Sequence, residues 1–325
     1  MRGKPVVDQP SPLDPQIAEY VGQLAGAGEP PLTELTPNAA RARLKARRAV
    51  AGPPLPMQSA TDVTIEVGGR TLGARLYEPS AASDHVIVFL HGGGWVTGDL
   101  DTADASARRL ARAAGADVLS VDYRLAPEHP FPAALDDARA AVRWMRGRDR
   151  TRPLVVAGDS AGGNLAAVCA QGELRSEVAI AAQFLCYPVV DSELTRASYR
   201  QIPAELPLGR GEMGWYWEKY VPDPEARSDP RVAPLHSPIL DTAAPAVLVL
   251  AGHDPLLDEG REYARRLRAA GVPTRVLEYP GAVHGFLGLP GQLGLRDRAL
   301  AQATAALRGL LFETSGATAP REESI

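Results

Sequence analysis

The sequence predicts an α/β fold: a mostly parallel central sheet with helices on both faces and a helical cap. Three observations carry this. Short, wholly apolar runs alternate along the 325-residue chain with stretches of helical period. These runs lack the in–out alternation of a half-exposed strand, so both faces of the strands must be covered. Two segments stand apart from the alternation: residues 1–55 read as a separate stretch, and 191–235 are expected to lie over the strand ends.

Composition agrees with a soluble globular chain. Hydrophobic residues make up 45% and charged residues 23%, which excludes a wholly disordered, collagen-like or coiled-coil chain. Thirty-nine acidic residues against 35 basic leave a net charge of −4, with no basic excess for nucleic-acid binding. Two cysteines, Cys169 and Cys186, cannot build a disulfide framework or an all-cysteine zinc site. No cofactor and no metal are expected. The opening MRGKPVVDQPSPLDP has no apolar run of the secretory kind, and runs such as Val86–Leu90 and Ala246–Leu250 are too short to span a bilayer. The expected location is cytoplasmic, with no membrane span.

Residues 1–55 read as a separate N-terminal segment. Prolines punctuate them, and two short helices, Pro15–Leu24 and Pro37–Val50, each begin on a proline, where a missing N–H costs nothing. The basic run Arg41–Arg48 on the second reads as a solvated helix face. Residues 56–190 form the first part of the core. Thr61–Val67 and Thr71–Tyr77 alternate around Gly68-Gly69 as a hairpin. Buried strands follow at Val86–Leu90, Asp117–Val121, Leu154–Ala157 and Ile180–Cys186. The helices between them are Ala103–Ala114, Ala133–Arg146 and Ala161–Glu173.

The block Asp191–Pro238 shows no strand pattern and holds the aromatic cluster Trp215–Tyr220. Residues 191–235 of it are assigned to the cap. Residues 236–325 complete the core with strands Ala246–Leu250 and Thr274–Glu278 and helices Asp258–Ala270 and Arg296–Leu311. Thr314–Ile325 form a frayed tail.

Ligands of such sheets bind beyond the C-terminal strand ends, so the chemistry is sought there. The strand Leu154–Ala157 runs into Gly158-Asp159-Ser160-Ala161-Gly162, a G-x-S-x-G pattern between strand and helix that exposes a serine on a tight turn. The competing reading is a glycine turn that only packs a helix closely. After Val86–Leu90 comes His91-Gly92-Gly93-Gly94-Trp95, whose backbone N–H groups can face an oxygen that turns negative during acyl transfer. A flexible loop or a phosphate nest is the alternative; a phosphate P-loop is disfavoured because no Gly-Lys-Ser/Thr follows.

A serine needs a base, and the base an orienting acid. Of six histidines, only His284 lies in a glycine-flanked loop after the last strand. Asp254 sits at the end of the strand Ala246–Leu250, whereas Asp258 and Glu259 start the next helix, where negative charge suits the dipole. The order Ser160, Asp254, His284 is that of an α/β-hydrolase.

With these motifs assembled, the sequence resembles the hormone-sensitive-lipase-like esterases, the bacterial family IV carboxylesterases of the α/β-hydrolase fold. The resemblance rests on His91–Trp95, Asp122–Glu128, Gly158–Asn164, Tyr187–Asp191, Asp254–Gly260 and His284–Phe286, spread over most of the chain. Asp159 places it with the GDSAG group. The resemblance implies Ser160 as nucleophile, His284 as base and Asp254 as acid. It also implies an oxyanion hole from the N–H groups of Gly93, Gly94 and Ala161, and a two-part cap with residues 1–55 as its N-terminal part and residues 191–235 as an insertion.

The implied reaction is hydrolysis of short- to medium-chain carboxylic esters through an acyl-enzyme. The same triad could serve an acyltransferase or cyclase with another acceptor. A ligand-binding or dehydratase relative is the remaining reading, and the retained Ser160 and His284 argue against it. The partner is a small-molecule ester, and a homodimer is compatible with the sequence. Met213, Tyr216, Trp217 and Tyr220 share one helix face by spacing. The stripe either packs the cap onto the sheet or, with Met213 and Trp217 beside Trp95 and Tyr187, walls the acyl pocket.

Overall fold

The computed structural model describes residues 11–49, 54–80, 83–203 and 205–314. The N-terminal helices are α1 (Pro15–Gly26) and α2 (Pro37–Ala49). The strands are β1 (Ser59–Val67), β2 (Arg70–Glu78), β3 (Val86–Leu90), β4 (Asp117–Val121), β5 (Leu154–Asp159), β6 (Ile180–Cys186), β7 (Ala246–His253) and β8 (Thr274–Val283). Between them run α3 (Leu100–Ala114), α4 (Ala133–Arg148), α5 (Ala161–Cys169), α6 (Gly172–Val178), α7 (Ala197–Gln201), α8 (Arg210–Tyr220) and α9 (Leu257–Ala269), and α10 (Gly294–Thr314) closes the chain described.

These strands form one sheet in the order β1-β2-β4-β3-β5-β6-β7-β8. Gly68 and Gly69 both take positive φ, which lets β1 and β2 pair directly from Val67 and Arg70 as an antiparallel hairpin. β2 pairs antiparallel with β4, and every later pairing is parallel. β3 shows why the sheet needs two covers. Val86, Val88 and Leu90 join the core under α4, α5 and α9, while Ile87 and Phe89 join the core under α1, α3 and α10.

Three elements differ from the sequence expectation. The helix expected over Ala161–Glu173 is two helices, because Gly172 adopts φ +64° and gives its N–H to Thr242 Oγ1 at 2.8 Å. The last strand runs past Glu278 to Val283, and β7 runs on to His253; a register irregularity near Ala251 brings His253 opposite Val283. The third is the basic face of α2. Arg41 donates to Val96 O at 2.8 Å and Ala126 O at 2.9 Å, and pairs with Glu128 at 2.6 Å. Arg43 reaches Pro30 O at 2.6 Å and Arg47 reaches Glu29 at 2.5 Å. This face anchors the helix instead of standing in solvent.

Between Asp191 and Pro238 the described residues form helices and short 3₁₀ turns with no strand. α8 packs near the N-terminal segment, with Thr33 beside Gly211. The tail beyond Thr314 lies outside the described residues. Among those described, no helix is long and apolar enough to cross a membrane.

Candidate active site

Ser160 sits where β5 turns into α5. Its φ of +55° and ψ of −118° are strained for a residue with a side chain. The surroundings enforce that conformation. A Cβ at Gly162 would lie 1.9 Å from Leu90 O, and one at Gly158 would lie 2.3 Å from the Gly162 carbonyl, so strand and helix meet closer than side chains permit. Ser160 N–H donates to Cys186 O at 2.9 Å, and Ser160 O accepts from Asn164 and Val189 N–H at 3.1 and 3.2 Å. The buried Asn164 side chain in turn donates to Val189 O and Val232 O. Thus β6 and the chain after it hold the turn in place.

His284 directly follows β8, and Asp254 directly follows β7. His284 Nε2 lies 2.9 Å from Ser160 Oγ, and His284 Nδ1 lies 2.8 Å from Asp254 Oδ2. Asp254 is 1% exposed and its other oxygen accepts the Leu256 N–H at 2.8 Å. Ser160 is 8% exposed, enough to open on a cavity. The Tyr187 ring stands edge-on to His284 at 4.9 Å.

The rival acids are engaged elsewhere. Asp258 accepts the Ser198 N–H at 2.8 Å. Glu259 is fully buried and accepts the N–H groups of Val190 and Asp191 at 2.8 and 3.2 Å. Burial pushes its carboxyl well above the usual carboxylate range. Both residues open α9, as the sequence suggests, but hydrogen bonding to other loops, beyond the helix dipole, accounts for their places. Among the other histidines, His91, His236 and His253 face Gly92 O, Asp191 and Ser11 O.

The glycine loop curls beside the serine. Gly93 and Gly94 have φ of +120° and +59°. The Gly93 carbonyl accepts from Thr97 N–H at 2.9 Å, Val96 N–H at 3.1 Å and Thr97 Oγ1 at 3.0 Å. Gly92 N–H donates to Asp159 Oδ1 at 2.8 Å, so Asp159 ties the serine turn to the glycine loop. In the sequence Asp159 is legible only as one letter of the G-x-S-x-G motif. Ala161 is the first residue of α5, where backbone N–H groups lack helical partners and the dipole is positive.

A cavity of about 220 Å³ joins these parts, lined by Ser160, His284, Gly93, Gly94, Val189, Leu44, Leu208, Met213 and Tyr216. A recess of about 30 Å³ bounded by Cys186 and Tyr187 adjoins it, sharing Phe89 and Ser106. A larger groove of about 810 Å³, bordered by Trp144, Gln171 and Arg231, contains none of Ser160, Asp254 and His284. Among the described residues no group of three His, Cys, Asp or Glu could hold a metal ion.

The expected acyl wall needs correction. Met213 lines the cavity, but Trp95 and Trp217 do not. Both are fully buried, 4.8 Å apart, and Trp95 stacks on Tyr220 at 4.1 Å. Tyr187 borders the small recess and His284 instead of the main cavity. The aromatic stripe of α8 straddles a boundary: Trp217 and Tyr220 pack into the core, while Met213 and Tyr216 reach the cavity. Leu44 and Leu208 carried no sequence signal, because single aliphatic residues on separate segments have no pattern.

A family model described as alpha/beta hydrolase fold matches residues 87–288. An ethyl acetate hydrolase of Pseudomonas putida is 35% identical over 316 residues, covering 91% of this chain and 98% of that protein. The carboxylesterase NlhH of Mycobacterium tuberculosis is 38% identical over 289 residues, covering 84% and 89%. The structure of a hyperthermophilic esterase from the archaeon Pyrobaculum calidifontis superposes with a TM-score of 0.84 at 32% identity, covering 92% of this chain and 99% of that one. The chain belongs to the alpha/beta hydrolase family, within its hormone-sensitive-lipase-like branch.

Proposed function

We propose that this carboxylesterase cleaves short- to medium-chain carboxylic esters through an acyl-enzyme on Ser160. The observation that carries the reading is the Asp254–His284–Ser160 chain of contacts, at 2.8 and 2.9 Å, opening on one cavity. His284 takes the Ser160 proton as the oxygen attacks the ester carbonyl. The carbonyl oxygen becomes negative and is received by the N–H groups of Gly93, Gly94 and Ala161. His284 gives the proton to the leaving alcohol, and water deprotonated by the same imidazole then releases the acid. Asp254 holds the imidazole tautomer and stabilises its cation.

Size supports short chains. About 220 Å³ is below the ~300–1,000 Å³ of pockets for drug-sized ligands, and Leu44, Phe89, Val189, Leu208, Met213 and Tyr216 give its wall apolar surface. The Pseudomonas putida relative is named for ethyl acetate. We read residues 1–55 and 191–235 as a two-part cap over core segments 56–190 and 236–325. In support, Leu44, Leu208, Met213 and Tyr216 from those two parts line the cavity.

A fluorophosphonate should label the protein once, on Ser160, and block hydrolysis of a p-nitrophenyl ester series whose optimum lies at short acyl chains. Ser160→Ala should lose the label and about 10⁴–10⁶-fold in kcat while melting as the wild type does. Label on another residue, or near-normal turnover in the variant, refutes the mechanism.

A further inference from the structure

We propose that Tyr216 is a positioning residue for the oxyanion donors: its ring, carried on α8, presses on Gly94 and holds the Gly93-Gly94 turn in its receiving geometry. The contact is close. A Cβ built on Gly94 would lie 2.1, 2.2 and 2.5 Å from ring atoms Cδ1, Cγ and Cε1, so the ring occupies the space a side chain would take. Gly94 keeps a positive φ under that ring, and the backbone N–H groups of this turn have no side chain to guide them.

The rest of the turn is held from elsewhere. Thr97 and Val96 fix the Gly93 carbonyl, Asp159 fixes the Gly92 N–H, and Arg41 fixes the Val96 carbonyl. These bonds restrain the turn at its carbonyl side and its two flanks. The ring covers Gly94 from the α8 side and is apolar at the point of contact, so it confines the turn without competing for a developing negative oxygen. The insertion would therefore act on kcat, through donor geometry, as well as bounding the substrate. A ring that only walls the cavity would act on substrate binding instead.

The proposal rests on the acyl-enzyme reading, and the wild-type protein tests that reading separately. A trifluoromethyl ketone must form a tight hemiketal with it; if it does not, the acyl-enzyme reading falls, whatever Tyr216 does. Given that adduct, Tyr216→Ala should lower kcat by about 10- to 100-fold, less than the ~10²–10³-fold of deleting one donor. KM should stay within about threefold, and ketone affinity should weaken by the same factor as kcat/KM. Tyr216→Phe, which keeps the ring, should recover most of the lost kcat. Tyr216→Leu serves as a second variant if the alanine protein melts early. Unchanged ketone affinity, with the loss confined to KM or to the acyl-length optimum, would overturn the proposal and leave Tyr216 as pocket wall alone.

Discussion

The loops at the strand ends and the helices above them build the same cavity by different rules. Ser160, Asp254 and His284 each follow a strand immediately, so backbone pairing in the sheet places them. Leu44, Met213 and Tyr216 arrive on α2 and α8, placed by side-chain packing and by ties such as Arg41 to Val96 and Ala126. A strand end has one position in a parallel sheet. A helix above the sheet takes its position from the side chains that hold it, so a substitution there can change both the cavity wall and the place of its neighbours.

The strand-end side is tested most sharply by its acid. Asp254→Asn should lower kcat about 10³–10⁴-fold by favouring the wrong imidazole tautomer. Asp258→Asn should do far less, since Asp258 serves the Ser198 N–H. Steady-state kinetics on the two purified variants gives the ranking. A reversal would mean that β7 does not end where the sheet puts it.

The helical side separates packing from substrate contact. Trp217 is fully buried against Trp95, so Trp217→Ala should destabilise by about 3–5 kcal/mol in urea titrations. Its acyl-length profile, measured below the melting range, should match the wild type. Met213→Ala should move that profile towards longer chains, because Met213 faces the cavity. A shifted profile in the tryptophan variant and an unshifted one in the methionine variant would invert the assignment.

The smallest effect lies where the two regions join. Glu259 on α9 accepts both N–H groups of Val190-Asp191, in the segment that follows β6. Burial raises its folded carboxyl above the unfolded value of about 4.3, so its stabilising contribution is full below that pH and fades as pH rises towards the folded value. Glu259→Gln does not titrate. Its stability relative to wild type should therefore improve as pH rises above the unfolded value of about 4.3, by at most about 1.4 kcal/mol per pH unit. A pH-independent difference in denaturant midpoints would remove this linkage.

The same division explains what the sequence revealed. Val86–Leu90, Asp117–Val121 and Ile180–Cys186 are legible because every residue in them is apolar or tightly buried, with no competing period. Pro280-Gly281 interrupts the last strand's pattern, which hides its continuation to His284's doorstep at Val283. The break at Gly172 depends on a hydrogen bond to Thr242, seventy residues away, which local propensity cannot carry. Arg41 was hidden by its own neighbours: within a basic run, one arginine bound to two carbonyls and a carboxylate reads like the rest. In α8, spacing brought Met213, Tyr216, Trp217 and Tyr220 together, yet only the folded core tells which of them meet solvent-filled space.

Cys169 and Cys186 lie buried in the two cores on opposite faces of the sheet. Burial pushes the Cys169 thiol up to about 12 and raises Cys186 well above its ordinary value. At neutral pH neither supplies the thiolate that alkylating agents, peroxides and disulfide exchange attack. The fold therefore asks nothing of the redox poise around it. A thiol reagent and a serine-directed reagent therefore report on different places, Cys169 and Cys186 in the cores and Ser160 in the cavity.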